Sequence, residues 1–161
     1  MTDPADTRPA VSLREITEDT VIDIIRLKVA PEQEKFVADN SVSLSQALFA
    51  PYAWYRAIYS GETPVGFVMI SDDSLLPEEK RPEKPGIGLW RFMVDHRYQR
   101  QGIGEAALQL VLDHARSRGA FTTFTTSYVP GEGGPLGVYE RAGFKHTGEM
   151  DEDELVMEVE L

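Results

Sequence analysis

Between Leu89 and Ala115 the chain passes from an apolar, β-prone run to a helical stripe, and a short polar bridge with two glycines joins them. This junction restricts the fold more than any other stretch. Residues 87–94 read as a strand, with Leu89-Trp90-Arg91-Phe92-Met93-Val94 as its body. Gly104, Ala107, Leu108, Val111, Leu112 and Ala115 then trace one face of a long amphipathic helix. Arg116 and Arg118 fall near its end and Gly119 follows, as helix C-termini prefer. A helix start carries unpaired N–H groups and a positive dipole, and glycines let the backbone approach a phosphate closely. Gly102 and Gly104 therefore offer a pyrophosphate site, to which Arg100 can add charge.

The other elements surround this junction. Residues 11–16 read as a first strand. Thr17 caps a helix whose stripe of Val21, Ile22, Ile25 and Val29 runs until Pro31. Residues 43–49 make a second short helix, and 52–59 and 65–70 a strand pair about a turn at Gly61-Glu62. The acidic stretch 71–85, with Pro77, Pro82 and Pro85, reads as a loop. After the long helix come a Thr- and aromatic-rich strand (121–129), a Gly-rich loop (131–134) and a short helix (136–142). Two strands, near 145–150 and 154–161, close the chain. This order predicts a mixed α/β sheet in one domain over residues 11–161. Residues 1–10 are polar and Pro-containing, so a flexible tail is expected rather than a secretory signal.

Composition narrows the function. A net charge of −11 opposes nucleic-acid binding, which needs clustered Lys and Arg. It favours a cationic partner such as a polyamine, although it also serves solubility. No apolar stretch approaches the roughly 20 residues that span a bilayer, so no membrane partner is expected. The absence of Cys removes disulfides, thiolate metal sites and a Cys nucleophile, and a cytoplasmic location is the default reading. His114 and His146 show no metal-ligand spacing, so no metal is expected.

Several readings compete for the glycine junction. Gly102-x-Gly104-x-x-Ala107 fits the letter of a dinucleotide fingerprint, but polar residues separate it from the strand and no acid waits on the next strand. A P-loop needs a Gly-Lys-Ser/Thr that is missing. An ordinary helix opening remains.

A third pattern is a family motif. Gln99-x-x-Gly102-x-Gly104 matches the Q/R-x-x-G-x-G/A motif of the GNAT superfamily of N-acetyltransferases, and Val138-Tyr139-Glu140-Arg141-Ala142-Gly143-Phe144 matches its L-Y-x-x-x-G-F signature. The chain resembles that family from about residue 11 to 161. The resemblance implies a GNAT fold, a central mixed twisted sheet of about seven strands flanked by about four helices, and acetyl-CoA as co-substrate. It implies that the backbone of Phe92, Met93 and Val94 pairs with the pantetheine arm, one N–H there polarising the thioester carbonyl. Gln99, Arg100, Gln101, Gly102, Ile103, Gly104 and Glu105 would surround the pyrophosphate. Tyr139 would protonate the departing thiolate, a role a phenol near pKa 10 suits. A homodimer is implied by family habit. Two positions depart from the pattern: Glu132 stands where the family often has Asn, and Trp90 where polyamine-specific members can carry an acid.

The acceptor is expected to be a primary amine. Residues 31–37, 40–44, 51–55 and 65–69 resemble bacterial spermine/spermidine acetyltransferases, which implies a polyamine. A protein N-terminus, an antibiotic amine, or a non-catalytic acyl-CoA sensor are the alternatives. An alkylamine near pKa 10 is only about 0.1% neutral at pH 7, so a base is needed. Glu32, Glu34, Asp72, Asp73 and His96 are candidates, each with a solvated surface role as its rival. Trp90, Trp54 and Tyr52 can stack against an alkyl cation, or simply pack.

Overall fold

The computed structural model describes residues 10–161. The expected tail therefore lies outside the described residues apart from Ala10. The elements follow in the order β1 (Val11–Arg14), α1 (Val21–Arg26), α2 (Asn40–Ala47), β2 (Ala53–Ser60), β3 (Thr63–Asp72), β4 (Ile87–Val94), α3 (Ile103–Arg118), β5 (Thr123–Tyr128), α4 (Leu136–Arg141), β6 (Lys145–Asp151) and β7 (Glu154–Glu160). The strands form one seven-stranded sheet in the order β1-β2-β3-β4-β5-β7-β6. Neighbours are antiparallel except β4 and β5, which run parallel. The α/β sheet and its four helices agree with the expected fold.

Both faces of the sheet are covered, so the central strands read as apolar runs rather than alternations. Along β3, Val68 and Ile70 pack with the α3 stripe of Ala107, Leu108, Val111 and Leu112. Phe67 and Met69 point the other way, onto Ile24 and Leu27 from the α1 region. Each fully buried aliphatic or aromatic side chain contributes roughly 2 kcal/mol. The two layers hold β3 and β4 rigidly between them.

Three local departures have tertiary causes. The first helix stops at Arg26 rather than running to Pro31, and residues 31–36 form a separate 3-10 segment. The buried Asp95 carboxylate takes the Lys28 N–H at 2.9 Å, and His96 N–H donates to the Lys28 carbonyl at 2.9 Å, which draws the chain out of helix. Burial raises the Asp95 pKa, but hydrogen bonds from the Arg97 side chain and the Lys28 and Arg97 backbones outweigh it and hold it below normal. The second helix begins at Asn40 rather than 43, where the buried Asn40 amide donates to the Ile24 carbonyl at 2.9 Å. The expected 71–85 loop holds the end of β3 and two 3-10 turns. Asp72 anchors it, bonded to Arg118 Nε at 3.1 Å and Ser74 Oγ at 2.6 Å.

Candidate active site

β4 and β5 meet through one residue pair, Gly88 with Thr125. A Cβ on Gly88 would stand 2.5 Å from Thr125 Oγ1 and 2.8 Å from its carbonyl oxygen, so only glycine lets the strands touch here. Beyond that pair β4 continues along β3 to Val94, while β5 continues along β7 to Tyr128, and their facing edges part. An unpaired strand edge thus lies in the middle of a sheet, with N–H and C=O groups open to a ligand. The gap is a cleft of about 1180 Å³. Ligands in open α/β sheets bind at the carboxyl ends of strands, where this cleft opens.

The β3–β4 register jumps between Met69↔Arg91 and Ile70↔Leu89, which leaves Trp90 as a bulge residue. Its ring stacks on Tyr52 with centroids 5.8 Å apart. The bulge turns Trp90 and Arg91 into the cleft, and both line it.

At the other end of β4 lies the start of α3. Arg100 (φ 63°) and Gly102 (φ 78°), on either side of Gln101, are both left-handed. For a non-glycine residue this conformation costs about 1 kcal/mol, and here it gathers N–H groups at a helix start. Gln99 fixes the geometry: its amide donates to Val94 O and to Gln33 Oε1, each at 2.8 Å. Gln33 in turn donates to Gly133 O at 3.3 Å, so the 31–36 segment spans the cleft. Glu105 would repel an anion, but Arg141 of α4 pairs with it.

Tyr139, on α4, is 5% exposed and lines the cleft. It packs edge-on against Tyr128 at 6.3 Å and beside Phe144 at 5.6 Å. Burial raises its pKa, a hydrogen bond with Thr126 opposes this, and the charge of Glu154 raises it further. The phenol keeps its proton at any physiological pH.

Eight of the ten expected cofactor residues line the cleft: Phe92, Met93, Val94, Gln99, Arg100, Gly102, Gly104 and Glu105. Ile103 turns its side chain into the core, and Gln101 lies outside the lining. Among the acceptor candidates, Glu34 and Trp90 line the cleft, whereas Glu32 does not. Asp72 is buried with Arg118 and closed to any substrate. Asp73 lines the cleft but holds the Gly86 N–H at 2.9 Å. His96 is exposed and outside the cleft. Trp54 lies on the opposite side of the sheet, stacked on His114 at 3.9 Å and on Arg56, so it packs rather than binds.

Residues 16–144 match the model of the acetyltransferase (GNAT) family. This chain belongs to that family. It is similar to the spermine/spermidine N(1)-acetyltransferase of Bacillus subtilis strain 168, at 29% identity over 94% of this chain and 99% of that protein. Its fold is similar to that of an aminoglycoside acetyltransferase solved in complex with coenzyme A, with TM-score 0.74, 14% identity, and coverage of 94% of this chain and 95% of that one. The GNAT domain of a Streptomyces lividans protein gives TM-score 0.71 at 17% identity, covering 94% and 89% of the two chains. The chain is an acetyltransferase.

Some residues that build this GNAT cleft carry no signal of their own in the sequence. Gln33 and Arg141 act through partners 66 and 36 positions away. Thr126 and Tyr128 belong to a strand read only as Thr- and aromatic-rich, with no residue singled out. Asp151, Asp153 and Glu154 line the cleft from the β6–β7 hairpin, which the sequence shows only as two closing strands.

Proposed function

We propose that this acetyltransferase uses acetyl-CoA to acetylate a primary amine of a polyamine such as spermidine or spermine, by direct transfer within a ternary complex. The observation that carries the reading is the splayed β4–β5 cleft, with the α3 start at one end and the buried Tyr139 facing into it. The residues present fit the cofactor. The free edge of Phe92, Met93 and Val94 matches the amide-bearing pantetheine arm as an added strand. The left-handed Arg100 and Gly102 gather donors for a pyrophosphate, and Arg141 offsets the Glu105 charge beside them.

Acetyl-CoA supplies an activated acyl group as a thioester. The chain's own groups do the rest. A β4 N–H donates to the thioester oxygen, the edges of the cleft hold the amine near the carbonyl, and Tyr139 gives its proton to the leaving sulfur. A phenol whose pKa is raised by burial stays protonated until that moment.

The polyamine is supported by the named relative, by the carboxylates Asp151, Asp153 and Glu154 at the cleft, and by a net charge of −11. The stacked Trp90 and Tyr52 suit an alkyl cation. Thiol release from acetyl-CoA, followed with spermidine, spermine, an aminoglycoside and a short peptide as separate acceptors, tests the reading. Release should be fastest with a polyamine. Release confined to the aminoglycoside or the peptide would replace the acceptor class and keep the reaction.

A further inference from the structure

Direct acetyl transfer to an alkylamine needs a group that removes the ammonium proton, and the cleft holds several carboxylates. Of those that line it, Asp73 holds the Gly86 N–H and Glu105 pairs with Arg141. Asp95 and Asp72 lie outside the lining, the first buried under Arg97 and the Lys28 N–H and the second closed off by Arg118 and Ser74. Glu34, Asp151 and Asp153 line the cleft but are exposed to solvent.

Glu154 differs from all of these. It is the first residue of β7, paired with Asp151 across the hairpin, and the next residue, Leu155, faces Tyr128 at the end of β5. This position sets it at the mouth where β4 and β5 part. It is half-buried, lines the cleft, and among the described residues no hydrogen-bond donor engages its carboxylate. It lines the same cleft as Tyr139 of α4 and Arg91 of β4, and its charge acts on both. The buried Arg91 Nε has no hydrogen-bond partner, so the β4 side of this mouth contributes charge without closing on Glu154.

We propose that Glu154 is the catalytic base of the transfer, taking the proton from the acceptor ammonium; this rests on the amine N-acetyltransferase reading above. One ammonium proton passes to the Glu154 carboxylate, and the freed nitrogen pair forms the C–N bond to the acetyl carbon. The C–S bond breaks with its electron pair on sulfur, and Tyr139 protonates that sulfur. The second proton lost by the nitrogen restores Tyr139, and Glu154 returns its own proton to solvent. One amide, one thiol and one proton are the products.

The surroundings of Glu154 make its carboxylate a stronger proton acceptor than an ordinary one, as a catalytic base requires. Burial raises its pKa, Asp151, Asp153 and Glu152 of the hairpin raise it further, and Arg91 opposes them. Tyr139, neutral at these pH values, is the remaining titratable group that interacts with it.

The test compares wild type with E154Q and E154D on whichever amine of the panel wild type acetylates fastest, from pH 5.5 to 9.5. E154Q should lose about 100-fold in kcat/KM at pH 7, with acetyl-CoA affinity and Tm unchanged. Its acid limb should change form, with the rate climbing tenfold per pH unit as the amine deprotonates in solvent. E154D should keep the wild-type profile at a reduced rate, which also covers the case of an E154Q protein that does not fold. An E154Q rate within threefold of wild type with the same pH profile would overturn the assignment. A wild type that favours a non-polyamine amine would correct the acceptor and leave this test in force, whereas no turnover of any amine would overturn both.

Discussion

A tyrosine that must donate a proton gains from being hard to deprotonate in its resting state. Tyr139 meets this condition through burial first, with the Glu154 charge adding to it and the Thr126 hydrogen bond opposing. Because the raised pKa keeps the acid form present, the alkaline limb of kcat should fall at a pH above that of an ordinary phenol, beyond about 10. Y139F should lower kcat on the order of 100-fold, abolish that limb and leave acetyl-CoA affinity within twofold. Steady-state rates with a direct binding measurement decide it, and an unchanged kcat would remove Tyr139 from the chemistry. Tyr139 was legible in the sequence because Val138 to Phe144 is contiguous and its motif is local. Glu154 was not, since nothing adjacent to it marks it off from Asp151 and Asp153. Its distinction is half-burial at the cleft mouth, which depends on β5 and β7 pairing across more than twenty residues.

At the scale of elements, the strand–glycine–helix junction was readable for the same reason: periodicity and capping are written in neighbouring residues. The boundaries of α1 and α2 were not. Each is set by one side chain from afar, Asp95 on Lys28 and Asn40 on Ile24, and propensity yields to such contacts. Trp54 shows the same limit, because its alternation within β2 does not say which face of a fully covered sheet holds the ligand. The β4–β5 contact is also invisible in sequence, and it carries a test. G88A places a methyl group against the Thr125 backbone and must push the strands apart. It should lower Tm by roughly 5 °C, from a cost of about 1–3 kcal/mol, and raise the KM for acetyl-CoA. Thermal melts and saturation kinetics check this; an unchanged Tm would mean that the strands part without cost at that point.

For the molecule as a whole, a cleft divides the sheet into a half built on β1 to β4 and a half built on β5 to β7, and the proposed transfer takes place where they separate. The left-handed Arg100 and Gly102 lie at the α3 start and the carboxylates Asp151, Asp153 and Glu154 at the β6–β7 hairpin, so the sites proposed for the two substrates differ in electrostatic character. Such a layout has room for both substrates at once, and it offers no Cys as an acyl carrier. Direct transfer is then the central claim. Initial rates of thiol release, with acetyl-CoA and spermidine varied together, test it most directly. Intersecting double-reciprocal lines with saturable spermidine are the predicted result. Parallel lines, which signify an acetylated enzyme, or a rate independent of spermidine, would contradict it.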